Sequence, residues 1–446
     1  MGSAARSYLV SRPADGFCEQ DPDEWVRAAD EALGDLAVSG PAGLAFTGQM
    51  HGLVLLDAEH RVLRPAILWN DGRAGAQRRL IEEQCGRQAL LDLVANVPMP
   101  GFTTPSLLWV RDHEPEVWEQ VRRVMLPKDY VRWRLFGGEP ATDVSDASGT
   151  LLFDVRRRRW STDIIDLLEL DPSWLPDAAE SVETVAWTPE GAPVAAGAGD
   201  QAAAARGMGL QPDAAIGISL GTSGVLAGLR SAPPGPDTDA RLQDLCGPSA
   251  EMWQTMGVTL SAGGSLTWWQ SCCGGADLEV LLAEAATCPA GCDGLTFLPY
   301  ISGERASHLD EDIRGSFTGL AAHHDRGAMT RAVIEGVVCS LADVHSLLRT
   351  GDLERSARVT GGLAHSPLVS TILASALGCV LEHTVVDECA AYGAALLAGV
   401  AAGVFEDVQQ ASRLPRVATQ TEPDVSLVGS YRHVLERFRK TYSVQP

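Results

Sequence analysis

The stretch VAAGAGDQAAAARGM (residues 194–208) contains, in order, an apolar run, a glycine turn, one acidic residue and a run of small residues. Residues 194–196 are predicted to end a strand, and residues 202–208 are predicted to form a helix. Asp200 therefore lies at a strand-to-helix turn. A carboxylate there is suited to cap the helix, to act as a general base, or to do both. This order of elements is typical of α/β proteins.

The same alternation of short apolar runs and amphipathic stretches extends outward over most of the chain. Residues 53–57 and 62–69 are separated by a polar turn, which indicates a β-hairpin. Strands are also predicted at 43–47, 216–219 and 381–383, and helices at 24–36, 73–89, 326–348, 366–377 and 392–402. The prediction is an α/β fold.

With 446 residues, the chain is longer than a typical single domain. We expect two domains, residues 1–213 and residues 214–446. Each half contains a hairpin with a glycine turn and, later, a strand-to-helix glycine turn. This shared order predicts two similar domains that face each other across a cleft.

The charge balance argues against several classes of partner. The chain has 35 basic and 58 acidic side chains and a formal net charge of -23, which repels nucleic acid and anionic membrane surfaces. The same charge also repels an anionic nucleotide. An ATP site would therefore have to rely on backbone amides, helix N-termini and a metal ion. The ten cysteines form no C-x-x-C pair, so no zinc site is predicted. Without an apolar signal segment or spanning stretch, a cytoplasmic protein is expected.

Two glycine turns are candidates for phosphate binding. GTSG (221–224) contains Gly221 and Thr222 at the tip of a predicted hairpin, and GGLAHS (361–366) joins a strand to a helix. Glycine permits close approach of the backbone to a phosphate, but ordinary tight connections use the same residues. The Walker A pattern is absent from the sequence.

Polar residues at other strand ends are candidates for a polyhydroxylated ligand. His51 follows Met50 at a strand end, where it either donates to a ligand hydroxyl or is a satisfied structural residue. WNDGR (69–73) combines an aromatic face with a carboxylate, an amide and a guanidinium, or is simply a turn before a helix. The basic run at 156–159 is interpreted as a solvated hairpin tip.

Taken in order, these segments resemble the FGGY family of carbohydrate kinases, most closely its xylulokinase branch. The matching segments are GQMHG (48–52), RPAILWNDGR (64–73), LPKDY (126–130), DVSDASG (143–149), GD (199–200), SLGTSG (219–224), SGER (302–305) and GG (361–362). The resemblance implies two actin-like, ribonuclease H-like domains, an N-terminal one for the sugar and a C-terminal one for the nucleotide. It also implies ATP-dependent phosphorylation of a ketopentose such as D-xylulose, with Mg²⁺ bound to ATP.

The resemblance further implies roles for individual residues. Asp200 would be the base that accepts the proton of the sugar hydroxyl. The implied sugar contacts are Met50, His51, Trp69, Asp71 and Gln201. The implied nucleotide contacts are Gly221 and Thr222 at the phosphates, Gly263 and Gly264 at the nucleotide, and Gly361, Gly362 and Ser366 at the adenosine end.

The sequence departs from the family pattern at three places. Family members open with an Asp-x-Gly-Thr hairpin for phosphate, which is absent here, so we expect a first domain that is incomplete at its start. Gln201 stands where xylulokinases usually have Asn, and Ala306-Ser307 replaces the usual Thr-Pro. Ribulose, gluconate or glycerol therefore remain alternative substrates, and a non-catalytic sugar-binding protein is the alternative class. A homodimer is common in the resembling family.

Overall fold

The computed structural model describes residues 2–36, 40–99, 101–236, 238–348 and 356–443. The α-helices of these residues are α1 (Pro22–Leu36), α2 (Gly75–Cys85), α3 (Arg87–Val94), α4 (Thr103–His113), α5 (Pro115–Trp118), α6 (Pro127–Phe136), α7 (Val144–Ala147), α8 (Thr162–Leu167), α9 (Asp200–Gly207), α10 (Gly263–Cys272), α11 (Leu278–Ala286), α12 (Arg326–Leu348), α13 (Pro367–Leu377), α14 (Cys389–Ala401), α15 (Val408–Ala411) and α16 (Val425–Ser443). The strands are β1 (Glu19–Gln20), β2 (Thr47–Gly48), β3 (Val54–Leu56), β4 (Ala66–Ile67), β5 (Arg123–Met125), β6 (Ala141–Asp143), β7 (Phe153–Asp154), β8 (Arg159–Trp160), β9 (Asp177–Ala179), β10 (Thr184–Trp187), β11 (Pro193–Ala195), β12 (Ala198–Gly199), β13 (Ile216–Leu220), β14 (Gly224–Arg230), β15 (Gln243–Cys246), β16 (Trp253–Thr259), β17 (Thr296–Leu298), β18 (Ser316–Thr318), β19 (Ser356–Thr360), β20 (Val380–Thr384) and β21 (Val417–Thr421).

The α/β class predicted from the sequence is confirmed by this order of elements. The predicted hairpin is also present, because Leu53 pairs with Ile67 and Leu56 pairs with Val62 in antiparallel bridges. The single helix predicted at 73–89 was wrong. Two helices, α2 and α3, occupy this region, and they are separated at Gly86, whose φ of 78° is outside the helical region.

The chain divides into two compact units. The first unit consists of Met1–Gly209, Arg230–Gln254 and Glu388–Leu414, and the second consists of Leu210–Leu229, Thr255–Asp387 and Pro415–Pro446. The first break lies close to the division predicted at 213/214. Arg230–Gln254 and Glu388–Leu414 nevertheless belong to the first unit by their contacts. A single division point in the sequence does not describe this arrangement.

In the first unit, α9 and α14 pack closely because glycines lie where they cross. A Cβ atom on Gly207 would lie 1.8 Å from the Cys389 carbonyl oxygen, and one on Gly393 would lie 1.8 Å from the Ala203 carbonyl oxygen. Buried alanines of α9 and Leu397 of α14 complete the contact. This packing brings residues 388–414 back to the first unit and fixes the helix that begins at Asp200.

Gly393→Ala is expected to lower the free energy of unfolding by about 2–3 kcal/mol, because the added methyl group has no space between the two helices. Urea denaturation measures this difference. Gly429→Ala in α16 is the control. A Cβ atom there meets nothing within 4 Å, so that change should stabilise the protein by about 0.5–1 kcal/mol. Equal effects of the two variants would contradict the prediction.

The second unit contains strands of a mixed parallel and antiparallel sheet. These strands are neighbours in the order β16-β14-β13-β19-β20-β21. Strand β13 pairs antiparallel with β14 and parallel with β19, where Ser219 lies opposite Thr360. The carboxyl ends of β13 and β19 are therefore neighbours. The turns that follow them, at Gly221 and at Gly361, come to the same edge of the sheet.

Among the described residues, none of the helices combines the length and the apolar character that crossing a bilayer requires.

Candidate active site

Asp200 is the first residue of α9, directly after the short strand β12. Strand β12 pairs in parallel with β2, so that Gly199 lies opposite Gly48. Burial raises the pKa of Asp200 to about 6, while hydrogen bonds from the backbone and the side chain of Gln201 act in the opposite direction. A carboxylate with a pKa near neutral pH is suited to general base catalysis.

Met50 and His51 lie beside the turn that carries Asp200. A Cβ atom on Gly199 would lie 2.9 Å from both Cγ and Sδ of Met50, so the Met50 side chain packs directly against this turn. His51 has a φ of 69°, and its Nδ1 lies 2.7 Å from the carbonyl oxygen of Gly149. Since a carbonyl only accepts, Nδ1 donates this hydrogen bond. The orientation of the imidazole is thereby fixed.

Phe102 stacks on the His51 ring, with ring centroids 4.3 Å apart and an interplanar angle of 11°. The Trp69 backbone reaches the same region, because a Cβ atom on Gly101, the residue before Phe102, would overlap the Trp69 carbonyl. Sequence reasoning missed Phe102, since an aromatic residue fifty positions from His51 carries no local signal of a shared site. The predicted sugar residues Met50, His51 and Trp69 are thus close together.

Asp71 has a different environment from the one expected of a sugar-binding residue. Its carboxylate is buried and accepts hydrogen bonds from the Cys18 amide and from the backbone amide, Nε and Nη2 of Arg73. Arg73 also pairs with Glu19. Asp71 thus orders Arg73 and the segment at Cys18, and its contact with a sugar stays a prediction.

A buried charge cluster lies under the same turn. The Lys128 ammonium contacts the carboxylates of Asp129, Asp143 at 3.0 Å and Asp146 at 3.6 Å. All four side chains are inaccessible to solvent. Burial raises the pKa of Asp146 well above its usual range, Lys128 opposes this rise, and the charge of Asp200 adds to it.

The sequence held one signal for this cluster. Almost all basic residues of the sequence are arginines, and the two lysines are Lys128 and Lys440. A lone lysine between a proline and an aspartate, in an Arg-rich chain, indicates a place where a compact charge is required.

The basic run at 156–159 was interpreted as solvated, and this was wrong for two of its members. Arg156 donates to the carbonyl oxygens of Leu91, Asp92, Pro234 and Gly235. Arg158 forms two hydrogen bonds to Glu180 and further bonds to carbonyl oxygens. The fork of donors in the guanidinium group explains why carbonyl groups that are distant in sequence gather around each arginine.

In the second unit, the hairpin tip between β13 and β14 contacts the beginning of α10. The Gly263 amide donates to the Gly221 carbonyl at 2.9 Å, and the Gly264 amide donates to the Thr222 carbonyl at 2.9 Å. These two amides are thus used within the protein. Contact of Gly263 and Gly264 with a nucleotide, which stays a prediction, would come from close approach rather than from donation by these amides.

Gly361 follows β19 and lies against the end of β13. Its φ is 100°, and a Cβ atom would lie 2.6 Å from the Leu220 carbonyl oxygen. Gly362 is exposed, and Ser366 caps α13 by accepting from the Val369 amide. A cavity of about 410 Å³ borders Gly361; its polar lining includes Thr360, His365, Ser370, His383 and Asp387. The predicted nucleotide residues of the second unit are therefore close to one another.

Comparison with known proteins defines the family. The N-terminal domain of the FGGY family of carbohydrate kinases matches residues 1–207, and its C-terminal domain matches residues 216–402. The chain belongs to the FGGY family of carbohydrate kinases. This carbohydrate kinase is 37% identical over 463 residues to a xylulose kinase of Escherichia coli (strain K12). The alignment covers 99% of this chain and 94% of the relative.

Solved structures agree with this family. A structure from Brucella ovis, described as a xyloylose kinase, is 37% identical with a TM-score of 0.91, and the match covers 99% of this chain and 94% of the other. A gluconate kinase from Lactobacillus acidophilus is 24% identical with a TM-score of 0.92, covering 98% and 92%. Since proteins named for different sugars share the fold this closely, the fold alone does not select the sugar.

ATP is the phosphate donor of this kinase family. The glycine turns of the second unit leave room for a ligand, because a Cβ atom on Gly362 would meet nothing within 4 Å and Gly221 is exposed at the hairpin tip. Within the described ranges, no group of three His, Cys, Asp or Glu side chains is arranged to hold a metal ion. Mg²⁺ enters the proposal below as part of the MgATP substrate, in which it is bound to the phosphates.

Gly361→Ala in this kinase is expected to lower the free energy of unfolding by about 1–3 kcal/mol, because the alanine would be strained at positive φ and would overlap the Leu220 carbonyl. Thermal unfolding measures the difference. Gly362→Ala, the adjacent change into open space, should alter stability by less than about 0.5 kcal/mol. A Gly361→Ala protein as stable as the Gly362→Ala protein would contradict the assigned backbone geometry.

Proposed function

We propose that this kinase phosphorylates a ketopentose, D-xylulose, to D-xylulose 5-phosphate with MgATP. The observation that carries the proposal is the Asp200 carboxyl, whose pKa is raised to about 6 next to Met50 and His51. It is supported by identities of 34–37% over nearly the full chain to proteins named xylulose kinase.

In the proposed reaction, Asp200 accepts the proton of the acceptor hydroxyl as its oxygen forms a bond to the γ-phosphorus of ATP. The bond between that phosphorus and the bridging oxygen breaks, and ADP leaves. MgATP supplies the phosphoryl group and neutralises charge on it. Gln201 orients the Asp200 carboxyl by its hydrogen bonds. The proposed sugar contacts are Met50, His51, Trp69, Asp71 and Gln201. The glycine turns at 221–222, 263–264 and 361–362, with Ser366, contact the nucleotide.

The two domain functions follow from this assignment. Residues 1–213 bind the sugar, and residues 214–446 bind the nucleotide. Backbone turns and Mg²⁺ are proposed to offset, at the phosphates, the repulsion that the net charge of -23 exerts on a nucleotide.

A substrate panel tests the proposal. The purified chain is incubated with MgATP and, separately, D-xylulose, D-ribulose, D-gluconate or glycerol, and ADP release is measured against the Asp200→Ala variant. We expect the highest kcat/KM with D-xylulose. A higher kcat/KM with another acceptor would reassign the substrate, and turnover no greater than that of the variant with every acceptor would reject the kinase activity of this chain.

A non-catalytic sugar-binding protein is the second hypothesis from the sequence. Calorimetry distinguishes it, because such a protein would bind a sugar but not MgATP. Binding of both ligands together with turnover is the outcome expected under the proposed function.

A further inference from the structure

The hydroxyl of Ser145 lies between the turn that carries Asp200 and the buried charge cluster. It accepts a hydrogen bond from the Gly199 amide at 3.1 Å and donates one to Asp143 Oδ2 at 2.6 Å. Ser145 is completely buried. Because its single proton is directed to Asp143, the oxygen lone pairs are left for the Gly199 amide, and the direction of that amide is thereby defined.

Asp143 is itself held in place from several sides. Its Oδ1 lies 3.0 Å from Lys128 Nζ, and its Oδ2 accepts from the Ser145 amide at 2.8 Å and from the Ser181 hydroxyl at 2.9 Å. The carboxylate has no exposed surface. Rotation of this carboxylate would break its contact with Lys128 and several hydrogen bonds. Because the group is buried, water does not replace these bonds, and the rotation is energetically unfavourable.

These contacts form one continuous path from Lys128 through Asp143 and Ser145 to the Gly199 amide. The path ends one residue before Asp200. Gly199 is also packed against the Met50 side chain. The same short turn therefore connects the buried cluster to the carboxyl at the start of α9.

We propose that Ser145 and Asp143 are positioning residues for Asp200. They fix the Gly199 amide and, through it, the direction in which the Asp200 carboxyl leaves the first turn of α9. The inference rests on the proposed function for the chemical role of Asp200, whereas the positioning is a property of the turn itself. Small displacements of a base relative to its substrate reduce the rate strongly, which gives this contact a measurable effect on turnover.

Ser145→Ala and Ser181→Ala form a matched pair for the test. Both remove one buried hydroxyl that donates to Asp143 Oδ2, but only the Ser145 hydroxyl also accepts from Gly199. We expect Ser145→Ala to lower kcat about 10- to 100-fold with less than about a twofold change in KM for MgATP. Ser181→Ala should lower kcat less than about threefold. Equal kcat values for the two variants would overturn the proposal.

Amide hydrogen exchange provides a second readout that does not depend on turnover. The Gly199 amide should exchange at least about tenfold faster in Ser145→Ala than in the wild-type protein, and no such change is expected in Ser181→Ala. Unchanged exchange in Ser145→Ala would overturn the positioning. If the wild-type chain phosphorylates no sugar, the proposed function fails, and the exchange rates still decide whether Ser145 fixes the turn.

Discussion

Replacement of Asp200 by Asn is expected to lower kcat for sugar phosphorylation by about 10²- to 10⁴-fold, the usual contribution of a general base. Asn occupies nearly the same volume but does not accept the hydroxyl proton. The KM for MgATP should change little, because the proposed nucleotide contacts belong to residues 214–446. Steady-state kinetics with the preferred acceptor measure both constants.

The pH dependence of wild-type kcat should identify the same group. With a pKa of about 6, Asp200 is mostly ionised at pH 7, and about a tenth of it is ionised at pH 5. The rate is therefore expected to fall about tenfold per pH unit below pH 6. Asp200→Asn should lack this decline in its residual rate. A wild-type profile that is flat between pH 5 and pH 7 would contradict the assignment of the base.

The same variant should be more stable than the wild-type protein at neutral pH. The pKa of Asp200 in the folded state is raised above the unfolded value of 3.8, so the ionised carboxylate opposes folding. This cost is absent below pH 3.8, grows as the pH rises to about 6, and is constant above it. We expect Asp200→Asn to raise Tm at pH 7 but not at pH 4.

Asp163→Asn is the control for this stability measurement. Asp163 lies in the first turn of α8 and is exposed, so loss of its charge should leave Tm within about 2 °C at either pH. A stabilisation of Asp200→Asn that did not depend on pH would point to packing rather than to loss of an unfavourable charge.

Replacement of Lys128 by Met is expected to lower the free energy of unfolding by about 3–5 kcal/mol at pH 7, because it leaves the carboxylates of the buried cluster without their cation. The carboxylates raise the pKa of Lys128 above its usual value, so its contribution is fully present at neutral pH and is lost only in strongly alkaline solution. Urea denaturation measures the loss.

Acidification should partly reverse the effect of Lys128→Met. Burial raises the pKa values of Asp129 and Asp146, so these groups take up protons as the pH falls and no longer require a cation. The deficit should therefore be smaller at pH 5 than at pH 8. Lys440→Met, at the exposed second lysine in α16, should change stability by less than about 0.5 kcal/mol. A similar effect of both variants would show that the buried cluster does not depend on Lys128.

Local patterns predicted some elements closely and others poorly, since the strand predicted at 43–47 is observed only as Thr47–Gly48. The helix at 326–348 was placed with its observed bounds, and the strand predicted at 216–219 ends one residue before the observed end of β13. The failure at 73–89 has a local cause, since the period of apolar residues continues across Gly86 while the backbone turns there at positive φ. The spacing of apolar residues predicts which face of a helix is buried. It does not predict a break of the helix at a single residue.

The candidate site divides in the same way. His51 and Asp200 were selected from the sequence because each lies next to a glycine at the end of a strand, and Met50 directly precedes His51. The structural role of Asp71 was not identifiable, because its partners Cys18 and Arg73 reach it from different segments. The partners of Arg156 and Arg158 were hidden for the same reason, as they include carbonyl groups about eighty positions away.

The sequence by itself determined the α/β class, the order of the glycine turns and the strand-to-helix position of Asp200, because these depend on periodicity and on the backbone freedom of glycine. Only the tertiary structure decided that Lys128, Asp143 and Ser145 lie under that turn and that residues 388–414 return to α9. Burial, charge pairing and close helix packing bring together residues that are far apart in the chain. Patterns of neighbouring residues in the sequence do not predict such contacts.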